Sequence, residues 1–293
     1  MNKKSLLYKF FSFLRSPKYN QVENINLGQK IIINIRLFAP MYLLVVFSGV
    51  MLSILFSIIN FQNGDSFAIE FFLNESIITI ILAAVIIAPL SEELAFRLGL
   101  KYSIPRFIIS SLLIFSFAKS LFSINISETL IPFLVIFIVA FEYFALRIIG
   151  NSKMQDFYKN YFYIIFYLSA LAFGFIHSFN YKNIADIWFL APLLVMPQLI
   201  VGIFFGYFRV KLGFIFSIAN HAFYNFMTLS PLLVLSILGI DLVDPNALDQ
   251  LSNTQNLGLV ALLLMSLAVL FTIILINLYN LIELFNKDKL ASA

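Results

Sequence analysis

The chain has no cysteine. Disulfides, iron–sulfur clusters and thiol nucleophiles are therefore excluded. Charge is scarce: Asp, Glu, Lys and Arg make up 12% of residues, against roughly 25% in a soluble domain. There is a single Trp, and there are two His in 293 residues. No internal repeat and no low-complexity linker interrupts the chain. Apolar residues dominate instead, at 61%, with 35 Phe. A soluble domain carries about 45–50%. The composition is that of an all-α, polytopic transmembrane helix bundle. The net charge of +4 has a topological use and says little about partners. Membrane lipids are expected neighbours, and no nucleic-acid partner is expected. Abundant Ile, Asn, Lys and Phe point to an AT-rich bacterial genome.

A helix needs about 20 apolar residues to cross the hydrocarbon core. About eight spans are expected, near 37–59, 76–98, 105–123, 130–149, 161–179, 187–208, 213–239 and 258–283. All but two of the 19 Lys and Arg then fall on one side. The exceptions are Lys119, inside a span, and Lys182, on the far side. That far side carries Asp65, Glu70, Glu75, Glu128, Asp186, Asp241, Asp244 and Asp249. The positive-inside rule predicts both termini in the cytoplasm of a multi-pass protein of the cell (inner or plasma) membrane. Residues 1–30 read as a cytoplasmic segment, 31–285 as the bundle and 286–293 as a cytoplasmic tail. The first 30 residues lack a clean apolar stretch of the kind a cleavable signal needs. "KKSLLYKFFSFLRS" (3–16) reads as an amphipathic segment on the membrane surface.

Few ionisable groups remain inside the spans: Glu92, Glu93, Arg97, Lys119, Glu142, His177 and His221. Such groups are functional-site candidates by default. Glu93 and Arg97 stand at i and i+4, so they share a helix face and can pair. Glu92 is turned about 100° away and is free to act as a general base. Pro89 marks a kink or restart just before them. A charge cluster at a helix end is the plainer reading. His177 follows Phe173 by four, beside Gly174. It can be catalytic or simply packed. His221 and Asn225 are again i and i+4, able to aim two donors at one oxygen or to bond neighbouring helices. Lys119 and Glu142 read as a structural pair or as snorkelling side chains. The small residues of "GIFFG" (202–206) read as helix packing, and Pro192 and Pro197 as kinks.

Three segments carry a combined signal: Glu-Glu-x-x-x-Arg at 92–97, Phe-x-x-x-His at 173–177 and His-x-x-x-Asn at 221–225. With their flanks, "APLSEELAFR", "SALAFGFIHSFN" and "GYFRVKLGFIFSIANHAFYN", they resemble the CPBP intramembrane proteases. That family includes CAAX proteases and bacteriocin-processing enzymes and is also called Abi. The resemblance covers about 76–229. It implies a glutamate-dependent intramembrane endopeptidase without a cofactor or metal. Its substrate would be a membrane-associated peptide or protein. Glu92 and His177 would activate water, His221 and Asn225 would form the oxyanion hole, and Glu93, Arg97 and Phe173 would support them. A bacterium would lack prenylated proteins, so a peptide precursor or another membrane protein is the expected substrate.

Two departures accompany the resemblance. About 85 residues separate Glu92 from His177, which reads as an inserted helical hairpin of two spans. Lys119 of "LIFSFAKSLF" is no substitute for the histidine, because an ammonium cannot replace a neutral imidazole. Straight vertical spans would also leave Glu92 near one face of the membrane and His177 nearer the other. Tilted or broken helices are required. Rival readings are a zinc protease using Glu92, His177 and His221, and a non-catalytic immunity or scaffold protein. A transporter is disfavoured by the lack of an inverted repeat. The sequence leaves the oligomeric state unknown.

Overall fold

In the computed structural model, residues 5–19, 25–58, 71, 74–122, 124–181, 188–237 and 257–291 are described, with side chains to 234 in the penultimate helix and over 265–286 in the last. Among these the chain is helical. Helix α1 (Leu6–Arg15) is capped by Ser5, whose hydroxyl accepts from the Tyr8 N–H. Next come α2 (Leu27–Ile58), α3 (Ile77–Leu100), α4 (Ile104–Leu121), α5 (Ile131–Ile149) and α6 (Asn151–Ile176). A 3₁₀ turn, His177–Asn180, follows α6. Then come short pieces at Trp188–Leu190 and Ala191–Leu194, α7 (Met196–Lys211), α8 (Phe214–Ile237) and α9 (Leu257–Ala291). Ser76 and Ser103 cap α3 and α4. Gly150, at φ 88°, separates α5 from α6, a conformation that side chains resist.

Among the described residues, six helices are long and apolar enough to cross a membrane, or seven if the bent pair Trp188–Leu194 and Met196–Lys211 is one span. The bend is 49°. It falls at Val195, with Pro192 and Pro197 each in the first turn of its own piece. The span expected at 213–239 is α8, which is not among these and carries the polar residues Ser217, Asn220, His221 and Asn225. The molecule is a polytopic helical bundle. Of the acidic outer-loop residues, Asp65, Glu70, Asp186, Asp241, Asp244 and Asp249 lie outside the described residues, as does Lys182.

Helix α7 is the axis of the bundle, packed by α6, α2 and α8. Its residues Val201 to Val210 are nearly all buried. Small residues allow this closeness. A Cβ on Gly206 would stand 2.8 Å from Phe166 Cε2, and one on Gly202 3.2 Å from the Ala170 carbonyl oxygen. "GIFFG" is thus a packing face. Phe166 is itself buried and has little freedom to move aside. Gly206→Val is expected to destabilise the protein by about 1–3 kcal/mol through overpacking. A lowered unfolding midpoint of the purified protein checks this.

The α4–α5 hairpin lies at the side, against α3 and α6. Glu142 and Lys119 do not pair across it. Glu142 accepts from the Ser111 hydroxyl at 2.7 Å instead. α1 also differs from expectation. Its apolar face is turned into the protein rather than laid only on a membrane. Phe10 stacks on Phe204 at 4.4 Å, Phe13 meets Phe166 edge-on, and the Tyr167 hydroxyl donates to the Leu14 carbonyl. α9 is fastened to α2 by Arg36, which pairs with Glu283 and donates to Asn280 Oδ1 at 2.8 Å.

Candidate functional site

The site begins with a proline. Residues Ile81–Ile87 form a π-helical turn, in which the Ala88 N–H reaches back five residues to the Ala83 carbonyl. The next donor in that register would be residue 89, toward Ala84. Pro89 has no N–H. The Ala84 carbonyl, left without its helical partner, accepts from Asn225 Nδ2 at 2.7 Å. α8 is thereby fastened to α3, and His221, one turn earlier on α8, is brought to the acidic pair.

Beyond the π turn the helix resumes over Ala88–Phe96 and carries Glu92 and Glu93. Their different directions separate their surroundings. Glu93 is fully buried, as is Arg97, and the two face each other at 3.7 Å. Glu93 Oε1 lies 3.1 Å from His221 Nδ1, and Ser217 donates to Oε2. Arg97 Nη2 donates to the Gly202 carbonyl at 3.3 Å, and the guanidinium lies 3.8 Å over the Phe173 ring. Gly202 thus serves as a close-packing residue and as an anchor for the cation.

Glu92 turns to the histidines. Its Oε2 is 3.7 Å from His177 Nε2 and 3.7 Å from His221 Nε2. It is buried and has no hydrogen-bond partner among the described residues. Each ring's other nitrogen is committed. His177 Nδ1 lies 2.7 Å from the Phe173 carbonyl, which can only accept. His221 Nδ1 faces the Glu93 carboxylate. Both rings therefore carry a proton on Nδ1 and present Nε2 to Glu92. Phe173 and Phe205 flank the imidazoles, at 4.8 Å from His177 and His221 respectively.

All seven residues of the three motifs thus fall in one locality. Glu92, Glu93, Arg97, His177, His221 and Phe173 are mutual neighbours, and Asn225 fastens the scaffold one turn away. The separation in depth expected for straight spans does not arise. α6 starts at Asn151, ten residues ahead of its apolar run, and is kinked at Tyr161. Its final turns lie beside the end of α3, where Ser169 donates to the Phe96 carbonyl. Sequence reasoning missed Ser217, which stands one turn before His221 and Asn225 on the same α8 stripe. It also missed Arg209, which donates to the Arg97 carbonyl at 3.0 Å. Among the described residues no group of three His, Asp or Glu forms a metal-ligating cluster.

The family model of the Type II CAAX prenyl endopeptidase Rce1-like group matches residues 74–227 of the 293. The chain belongs to this family. The match runs from the start of α3 into α8, so it spans every residue of the site. Membership in the Rce1-like family makes the chain a member of a protease family, and its apolar helices make it a multi-pass membrane protein. No curated protein and no solved structure matches it.

Proposed function

We propose that the protein is a glutamate-dependent intramembrane endopeptidase that hydrolyses a membrane-associated peptide or protein. One observation carries this reading: a buried carboxylate oxygen of Glu92, without a hydrogen bond, faces two imidazole nitrogens at 3.7 Å. An unpaired buried carboxylate oxygen costs about 1–3 kcal/mol or more. Such a group is expected where chemistry needs it.

The distance of 3.7 Å is too long for a direct hydrogen bond, but one water can bridge it. In the proposed step, a water between Glu92 Oε2 and His177 Nε2 gives its proton to Glu92. Its oxygen attacks the scissile carbonyl carbon. The oxyanion receives hydrogen bonds from His221 Nε2 and from the second N–H of Asn225, whose first is on Ala84. For that, His221 holds both ring protons, with Nδ1–H staying on Glu93. Collapse breaks the C–N bond, and the leaving amine takes the proton from Glu92. Glu93 and Arg97 fix the geometry and do not exchange protons. The sorting of Lys and Arg supports cytoplasmic termini in the cell membrane.

The test is cleavage by purified, reconstituted protein of a pool of membrane-tethered peptides, both prenylated and unprenylated. Mass spectrometry reads the new termini. Wild type is expected to cut with or without a chelator, and His221→Ala to lose most of that cutting. Activity lost to the chelator and restored by added metal would overturn the metal-free mechanism. Equal cutting by His221→Ala would remove the oxyanion role.

A further inference from the structure

Arg209, near the end of α7, is 8% exposed. Its Nε donates to the Arg97 carbonyl at 3.0 Å and its Nη2 to the Leu98 carbonyl at 3.3 Å. Two carbonyl groups orient a guanidinium but do not cancel its charge. Nη1 is left over. Arg209 also borders a cavity of about 160 Å³, together with Lys30 of α2 and Lys101 just after α3. Among the described residues none of these three cations pairs with a carboxylate. The remaining walls include Leu100, Phe162 and Gly213, and among the described residues no acidic side chain lines the cavity.

Lys30 is half-buried and Lys101 exposed, so the cavity opens toward solvent, and three like charges around it repel one another until an anion joins them. The backbone adds to this field. Gly213, at φ 120°, lines the cavity and directly precedes the 24-residue α8. The N–H groups of a first helical turn carry a partial positive charge and have no intrahelical acceptors. A Cβ at Gly213 would meet nothing within 4 Å, so the glycine answers to its backbone angle rather than to crowding.

We propose that this cavity is a binding site for a phosphate-type oxyanion, either free phosphate or the headgroup of an anionic phospholipid. Lys30, Lys101 and Arg209 Nη1 are its ligands, and α8 supplies backbone positive potential. The bound anion holds the Arg209 guanidinium, and through it the Arg97 and Leu98 carbonyls where the acid-bearing helix ends. The site is distinct from the Glu92 centre and does not depend on the catalytic reading.

The test measures the thermal midpoint of the intact protein as inorganic phosphate is titrated against chloride at constant ionic strength. A second arm uses phosphate-free buffer and compares phosphatidylglycerol with phosphatidylcholine nanodiscs. Lys30→Gln and Lys101→Gln remove ligands, while Lys153→Gln removes the same charge from the exposed start of α6. Ligand-dependent stabilisation is expected in wild type and Lys153→Gln. Each ligand variant should bind about tenfold more weakly. A response to phosphate identifies the free anion, and a response to phosphatidylglycerol alone identifies the headgroup. No anion-dependent stabilisation, or one that all three variants share equally, would overturn the proposal.

Discussion

Glu92→Gln is expected to reduce peptide-bond cleavage by about 10²–10⁴-fold, the usual contribution of a positioned general base. The amide has nearly the shape of the carboxylate but cannot take a proton from water. Glu92 makes no hydrogen bond among the described residues, so the change breaks none of those that hold the bundle. The unfolding midpoint should therefore stay at the wild-type value or rise, because a buried, unsatisfied charge has been removed. Single-turnover cleavage and a melting curve on the same sample check both halves. Cleavage within about tenfold of wild type would shift the base role elsewhere, with His177 the next candidate.

The second large effect falls on stability. Arg97→Met is expected to destabilise the protein by about 3–5 kcal/mol, because it leaves the Glu93 carboxylate buried without its cation. Both partners are fully buried, so water cannot take over. The Gly202 carbonyl and the Phe173 face lose their partner in the same step. Glu93→Gln combined with Arg97→Met should recover part of this loss, since neither charge is then stranded. A double-mutant cycle in unfolding free energy measures the coupling. A cycle with no coupling would mean that the pair contributes nothing as a pair. The double variant should remain poorly active, because His221 has lost the carboxylate that orients it.

The two predictions draw on information of different kinds. Positions of the spans were legible because apolar runs of about 20 residues are a one-dimensional signal. The offset between Glu92 and Glu93 was legible too, since one residue along a helix is a turn of 100°. It was enough to assign Arg97 to Glu93 and leave Glu92 apart. Relative depth was not legible. The polar start of α6, from Asn151 to Asn160, looked like a loop because hydropathy registers lipid exposure rather than helicity. The partner of Glu142 was missed for a related reason. Charge matching suggested Lys119, whereas the packing angle of α4 on α5 presents Ser111. α1 carried a strong amphipathic pattern, but a pattern names a buried face without saying whether protein or lipid covers it. Ser217 and Arg209 gave no local sign of their roles, as Glu93 and the Arg97 carbonyl, which they bond, are more than a hundred residues away.

The bond between Asn225 and the Ala84 carbonyl has a consequence for how such chains can change over generations. An ancestor with an ordinary residue at 89 would supply the missing N–H itself, and the amide at 225 would be dispensable for docking. Once proline is fixed at 89, losing that amide strands a carbonyl inside the bundle. The order of substitutions then matters: 225 can drift only after 89 has reverted. Positions 89 and 225 are thereby coupled through one oxygen atom, that of Ala84.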